Sequence, residues 1–147
     1  MTPLMSFVSI PSASAMPHFL YFPLLDPRLN KLRHAAAVIL FISILIGGSI
    51  PGARANIGDY APGVVLHSSA YAVLAFLWFT GSRGSAASRT LATVLAIAVM
   101  GAIDESVQSF FPYRGADLRD WLVDCSSAVV VCAILWLVLP KAALQRR

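Results

Sequence analysis

The sequence predicts an all-α integral membrane protein, a bundle of four transmembrane helices joined by short loops. Its 147 residues are 58% hydrophobic and only 12% charged, whereas a soluble domain carries about 25% charged residues. Four apolar segments approach the ~20 residues that a helix needs to cross the hydrocarbon core. Helices are the expected form of these segments, because unpaired backbone polar groups are too costly in lipid.

Each apolar segment ends at a proline or a glycine. The four segments cover about residues 34–50, 62–80, 90–111 and 118–139. The linkers, at about 51–61, 81–89 and 112–117, are short, so helices adjacent in sequence are expected to pack antiparallel. The membrane domain is placed at residues 32–140. A weakly ordered segment, 1–31, precedes it and a basic tail, 141–147, follows it.

The lysines and arginines predict the orientation of the bundle. Eight of the eleven lie before the first segment, between the second and third, or after the fourth. The positive-inside rule then places both termini in the cytoplasm and predicts a multi-pass protein of the cell inner (cytoplasmic) membrane. The net charge is +4, but the basic residues flank apolar runs and form no patch of the kind that binds nucleic acid.

The charged residues concentrate in one short stretch, 104–124, which holds five of the seven acidic side chains. Asp104 and Glu105 stand next to each other after a long uncharged run, 90–103. Ionisable groups are costly to dehydrate in a membrane and tend to be functional there. Asp104 and Glu105 therefore predict a functional site.

Helical spacing predicts which polar side chains meet. Three pairs of residues four apart share helix faces: His67 and Tyr71, Asp104 and Gln108, and Asp120 and Asp124. The predicted topology places all three pairs at the outer end of the bundle, around one cavity with Arg114 at its rim. The predicted ligand-binding residues are His67, Tyr71, Asp104, Glu105, Gln108, Arg114, Asp120 and Asp124. Arg114 and Arg119 are close enough in sequence to pair with some of the carboxylates.

Several of these residues also have a purely structural interpretation. Asp120 fits a helix N-cap as well as a site role, and His67 fits a satisfied core histidine equally well. Tyr71 is interpreted as a packing residue whose hydroxyl lies near water. Asp117 and Arg119 are interpreted as solvated loop charges.

Two motifs resemble those of the VanZ-like membrane proteins. Asp104-Glu105-x-x-Gln108, followed by Pro112, Arg114 and Asp120, resembles the family signature, and His67-x-x-x-Tyr71-x-x-Leu74 resembles an earlier motif. The resemblance covers about residues 32–139. It departs from the family at Gly63 and Val64, where an Asp-Lys pair is common, at Asp124, where Asn is common, and at Ser127, where glycine is common. The family is named for a protein linked to teicoplanin resistance, but the name does not itself imply resistance for this chain. The resemblance is compatible with an accessory or antibiotic-response role in the cell envelope.

The first functional hypothesis is a binding protein whose acidic site holds a cell-envelope ligand, a polar head group or a cation. A divalent cation is one candidate, because hard cations prefer oxygen ligands and Asp104, Glu105, Asp120 and Asp124 could supply them. No CxxC or other complete metal-binding motif is present, so the sequence itself assigns no metal ligands. Membrane lipid or an envelope precursor is the expected partner.

Two alternatives remain open. The first is a membrane enzyme acting on a lipid-linked envelope precursor, with Asp104 or Glu105 as the base and His67 as its partner. Ser68 and Ser106 are candidate nucleophiles only by proximity. The second alternative is a small transporter that uses the carboxylates as a relay, although relays usually reach the membrane midplane.

Overall fold

The computed structural model describes residues 25–52 and 63–139. These residues form four long helices: α1 (Asn30–Ser49), α2 (Gly63–Gly81), α3 (Ala86–Ser109) and α4 (Leu118–Val138). Each helix is long and apolar enough to cross a membrane, and the described residues contain no strand. The predicted all-α bundle of four membrane-spanning helices is confirmed. The predictions for residues 1–24, 53–62 and 140–147 lie outside the described residues.

Consecutive helices run antiparallel, as hydrogen bonds at both ends of the bundle show. Arg33 in the first turns of α1 donates to the carbonyl of Thr80 at the end of α2, at 3.0 Å. At the opposite end, Arg114 after α3 donates to the carbonyl of Gly48 near the end of α1. Helix α2 packs against each of the other three helices. Its position therefore allows it to share a polar site with both α3 and α4.

The core of the bundle combines large and small side chains. Leu74 and Tyr71 are fully buried beside the small residues Ala37, Ala75 and Ala128, which allow helices to approach closely in lipid. Many large apolar residues point outward instead. Lipid can solvate these side chains, so their exposure fits the membrane prediction. The most exposed of them are Leu137, Phe110, Leu118, Ile39 and Leu32.

Helix α3 begins at Ala86, four residues before the predicted start. The side chain of Ser85 accepts a hydrogen bond from the backbone N–H of Ser88 at 3.2 Å, which caps the helix and shortens the linker. Arg89 therefore lies in the first turn rather than in a loop, and it is buried with its Nε donating to the Gly84 carbonyl at 3.0 Å. The predicted domain boundary at residue 31 likewise falls inside α1, which begins at Asn30.

The N-terminus of α4 shows which acidic residue caps the helix and which ones face the core. Asp117 is the N-cap, and its side chain accepts from the backbone N–H of Arg119 at 2.8 Å. The interpretation of Asp120 as the cap is therefore wrong, and so is the interpretation of Asp117 as a loop charge without a structural role. Arg119 is exposed, whereas Asp120 is buried in the first turn. The cap at Asp117 thus leaves Asp120 and Asp124, one turn apart, on the inward face.

Candidate functional site

Seven polar side chains from three helices meet at one end of the bundle. Here they are called the polar core: His67 and Tyr71 from α2, Asp104, Glu105 and Gln108 from α3, and Asp120 and Asp124 from α4. Six of them are buried, and the side chain of the seventh, His67, is only 10% exposed. The structure therefore brings together every predicted site residue on these helices, at one end of the bundle.

The imidazole of His67 links α2 to α4. Its Nδ1 lies 3.0 Å from Oδ1 of Asp124, and its Nε2 lies 3.5 Å from Oδ2 of Asp120. Asp124 is fully buried, and it fits against α3 because residue 101 is a glycine. A Cβ at Gly101 would lie 3.0 Å from Oδ2 of Asp124. Both ring nitrogens of His67 therefore face carboxylates of α4, and Nδ1 is hydrogen-bonded to Asp124.

Asp104 organises the other half of the polar core. Its two carboxylate oxygens accept hydrogen bonds from the Tyr71 hydroxyl at 3.2 Å and from Nε2 of Gln108 at 2.9 Å. Tyr71 is fully buried, so the interpretation that its hydroxyl lies near water is wrong, because Asp104 reaches it from α3. The Tyr71 ring lies parallel to that of His67, with centroids 6.0 Å apart. The two halves of the polar core therefore adjoin.

Glu105 is only partly satisfied. Its Oε2 accepts a hydrogen bond from the backbone N–H of Asp117 at 2.5 Å, whereas its Oε1 is buried and has no hydrogen-bond partner among the described residues. Oδ2 of Asp124 and Oε1 of Gln108 are likewise buried without a hydrogen-bond partner among the described residues. Buried polar atoms without partners are rare in folded proteins. Three of them in one cluster indicate a site that is built to accept something further.

Arg114 lies at the edge of the polar core, half-buried, as the predicted rim position requires. Its guanidinium donates to the Gly48 carbonyl at 2.6 Å. Within the described residues, no ion pair joins Arg114 or Arg119 to a carboxylate. The predicted pairing is therefore wrong. The backbone of α1 approaches closely because residue 48 is a glycine, and its carbonyl takes the guanidinium instead.

A cavity of about 680 Å³ lies between α1 and α2 and reaches the polar core. Its walls are largely apolar, and a few polar groups line one end. This combination is typical of small-molecule sites. The residues that line it include Leu40, Ile44, Gly47, Leu66 and Val73 on the apolar side, and His67, Tyr71, Asp104, Gln108 and Arg114 at the polar end.

Some of these features were not predicted from the sequence. Gly47 and Gly48 in α1 line the cavity, a Cβ at Gly48 would lie 3.3 Å from the Arg114 guanidinium, and the packing of Asp124 depends on Gly101 in α3. Glycines inside apolar helices are a known signal of close helix contact in membranes, and that signal could have indicated both. The serine nucleophiles proposed by proximity gain no support: Ser106 donates to the carbonyl of Ala102, and Ser68 donates to that of Val65.

The comparisons with known proteins give no assignment. No protein-family model matches the chain, and no curated protein or solved structure matches it. The function must therefore be inferred from the polar core and the cavity beside it.

Proposed function

We propose that this chain is a VanZ-like, multi-pass protein of the cytoplasmic membrane that binds an amphipathic ligand of the cell envelope. The observation that carries the proposal is the cavity between α1 and α2, which is apolar along most of its wall and polar where it meets Asp104, Gln108 and Arg114. A lipid-like molecule likewise has an apolar part and a polar part. Its apolar chain fits the wall, and its head group fits the polar core.

The charges of the site select the head group. The Arg114 guanidinium is suited to a phosphate oxygen, whereas the carboxylate of Asp104 is suited to an ammonium group. Oε1 of Gln108 is buried without a hydrogen-bond partner in the described part of the chain, so it can accept a hydrogen bond from the same ammonium group. A head group that carries both phosphate and amine satisfies all three side chains. Phosphatidylethanolamine is the simplest probe of this class.

The orientation in the proposal rests on the 8 to 3 distribution of lysine and arginine. With Cys125 and Cys132 replaced by alanine, we expect a membrane-impermeant maleimide added to intact cells to label an Ala116→Cys variant. Ala116 is exposed in the linker beside the polar core. The matched variant Ala87→Cys, exposed at the other end of the bundle, should stay unlabelled until the membrane is opened. Labelling of Ala87→Cys alone would overturn the outward orientation.

Lipid binding tests the function itself. Delipidated protein in detergent is titrated with phosphatidylethanolamine and, separately, with phosphatidylglycerol, and native mass spectrometry measures the bound fraction. We expect preferential binding of phosphatidylethanolamine. Asp104→Asn should reduce that preference, because it removes the partner of the amine and leaves the apolar wall of the cavity unchanged.

Two neighbouring serines provide a matched pair for the cavity. Ser69 lines the cavity, whereas Ser68 faces the opposite groove, between α2 and α4. We expect Ser69→Leu to weaken binding about tenfold by filling the cavity, equivalent to ~1.4 kcal/mol, and Ser68→Leu to leave it unchanged. Equal binding of both lipids by the wild type, or equal effects of the two serine variants, would contradict the proposal.

A further inference from the structure

Three side chains from three different helices present ligand atoms to one point in the polar core. A ring nitrogen of His67, a carboxylate oxygen of Glu105 and a carboxylate oxygen of Asp120 all lie within 4.8 Å of one another. Helical spacing and topology predicted that these residues meet, but they have no motif spacing that marks them as metal ligands, and the set of three is defined only by the packing of α2, α3 and α4.

The imidazole is already held as in a metal site. Metal-binding histidines usually donate the other ring N–H to a carboxylate, which fixes the ring orientation and the tautomer. In this chain Nδ1 of His67 lies 3.0 Å from the fully buried Asp124, and Nε2 faces Asp120 at 3.5 Å. A neutral imidazole has one donor nitrogen and one acceptor nitrogen. With the proton on Nδ1, the lone pair of Nε2 points toward Asp120, an arrangement that a cation between them would stabilise.

Glu105 supplies a second, independent observation. Its side chain is more than nine-tenths buried, with the residue 7% exposed, and its Oε2 is occupied by the Asp117 N–H. The buried Oε1 has no hydrogen-bond partner among the described residues. Leaving a carboxylate oxygen unpaired away from water is costly. A bound cation would remove that cost.

We propose that His67, Glu105 and Asp120 bind a divalent transition-metal ion, with Zn²⁺ and Mn²⁺ as the best-matched ions, and that Asp124 positions His67. The proposal rests on the proposed function, since the ion would be part of the same ligand-binding site. It departs from an all-oxygen set for a hard cation, because His67 rather than Asp104 presents a ligand atom close to those of Glu105 and Asp120. Mixed imidazole and carboxylate ligands favour transition ions over Mg²⁺ and Ca²⁺.

The distances fit this assignment. Tetrahedral ligands at 2.0–2.2 Å from Zn²⁺ are ~3.4 Å apart, and Nε2 of His67 lies 3.5 Å from Oδ2 of Asp120. The other separations are at most 4.8 Å, so rotation of the Glu105 and Asp120 side chains has to close them by less than about 1.5 Å. Two anionic ligands would also neutralise the charge of a divalent ion at the membrane boundary.

Metal titration of the full chain in detergent tests the proposal. After treatment with a chelator, the protein is titrated with Zn²⁺, Mn²⁺ and Mg²⁺ by calorimetry. We expect one Zn²⁺ or Mn²⁺ per chain and weaker binding of Mg²⁺. Glu105→Gln and Asp120→Asn should each weaken binding by at least about 100-fold, and Asp124→Asn by about 10- to 100-fold, as expected for a residue that orients a ligand.

Matched controls separate the site from adventitious binding. His34→Gln changes a histidine at the opposite end of the bundle, and Asp117→Asn changes an exposed carboxylate outside the three ligands. Both should bind Zn²⁺ as the wild type does. In the Co²⁺-loaded protein, His67→Gln should shift the visible absorption spectrum, because a nitrogen ligand is lost, whereas His34→Gln should not.

Two outcomes would overturn the proposal: a wild type that binds no ion in a one-to-one ratio, or Glu105→Gln and Asp120→Asn variants with unchanged affinity. Circular dichroism identifies a variant that fails to fold. If one of the two carboxylate variants fails, the metal affinity of the other one tests the proposal. Ser69→Leu separates this proposal from the lipid proposal. This variant should bind phosphatidylethanolamine about tenfold more weakly and bind the metal ion as the wild type does. The lipid proposal and the metal proposal can therefore be contradicted separately.

Discussion

The two ends of the bundle both bury charged side chains, but they satisfy them in different ways. At the basic end, Arg33 donates to the carbonyl oxygens of Thr80 and Asp26, and Arg89 donates to that of Gly84. In the polar core at the acidic end, the carboxylates contact other side chains, and several buried oxygens have no hydrogen-bond partner among the described residues. Backbone carbonyls satisfy the buried charges at the basic end, whereas the polar core retains buried oxygens that a ligand could satisfy.

The difference follows from the helix termini. The last carbonyls of a helix lack partners inside it and carry partial negative charge, so a guanidinium at the end of α2 satisfies the backbone and is itself satisfied. In the ranges 25–52 and 63–139, no comparable set of backbone N–H groups donates to Asp104 or Asp124, which lie within the helices and contact side chains. Their partners must be side chains or a bound ligand. The basic end therefore stabilises the fold, and the polar core is the candidate for function.

The largest effect on stability is expected at the basic end. Arg33→Ala removes one guanidinium nitrogen, Nη1, whose N–H groups are shared among Thr80, Asp26 and Asn30. A charge-assisted hydrogen bond is worth about 1.5–3 kcal/mol, and the buried Thr80 carbonyl loses this donor. We expect the free energy of unfolding to fall by about 3 kcal/mol, with a marked drop in the melting temperature in detergent. Lys31→Ala, an exposed cation two residues away, is the control and should change little. Equal effects of the two variants would mean that the basic end has no special structural role.

A smaller loss is expected where α3 and α4 meet. A Cβ at Gly101 would lie 3.0 Å from Oδ2 of Asp124 and 3.1 Å from Cδ1 of Trp121, so Gly101→Ala requires these buried or partly buried side chains to shift by a few tenths of an ångström. Overpacking of this kind costs about 1–3 kcal/mol. At Gly47 no atom lies within 4 Å of the added Cβ, so Gly47→Ala should be neutral or slightly stabilising, since alanine favours helix. Thermal unfolding of the pair, followed by circular dichroism, measures the difference, and a stable Gly101→Ala protein would contradict the close contact.

The fold could be predicted from the sequence because its signals are local. Apolar length and Pro or Gly stops placed the four helices within a few residues of their observed bounds. The start of α3 was wrong because a single capping residue, Ser85, set it, and a serine in a short polar linker looks like any other loop residue. Orientation depends on the membrane and stays a prediction.

The polar core was partly predictable because helical spacing is also a local signal. Four-residue spacing placed His67 with Tyr71 and Asp104 with Gln108 on common faces, and topology matched their depth. Pairing across helices could not be read in this way. That Tyr71 meets Asp104, or that Arg114 meets a backbone carbonyl instead of a carboxylate, depends on helix rotation and on glycines at close contacts.

The cap of α4 should contribute a modest, separable amount. The Asp117 side chain accepts from the Arg119 N–H, and its own backbone N–H donates to Glu105. Asp117→Ala removes the cap and should cost about 1 kcal/mol. Asp117→Asn keeps a capping oxygen and should cost much less. If both substitutions lower the melting temperature equally, the charge rather than the cap is what matters at this position.

The smallest change in stability should come from Glu105→Gln, and its sign should be opposite to that of Arg33→Ala. Glutamine has nearly the same volume, and its carbonyl oxygen can still accept from the Asp117 N–H. Its amide group replaces the buried Oε1 that has no partner, so one unpaired anionic oxygen is lost. In metal-free protein the free energy of unfolding should rise by up to about 1 kcal/mol, the usual scale of one hydrogen bond. Zn²⁺ should then raise the melting temperature of the wild type, since a ligand that binds only the folded state stabilises it, and should leave that of Glu105→Gln unchanged. A Glu105→Gln protein that is less stable without metal would place Glu105 with Arg33, among the residues that maintain the fold.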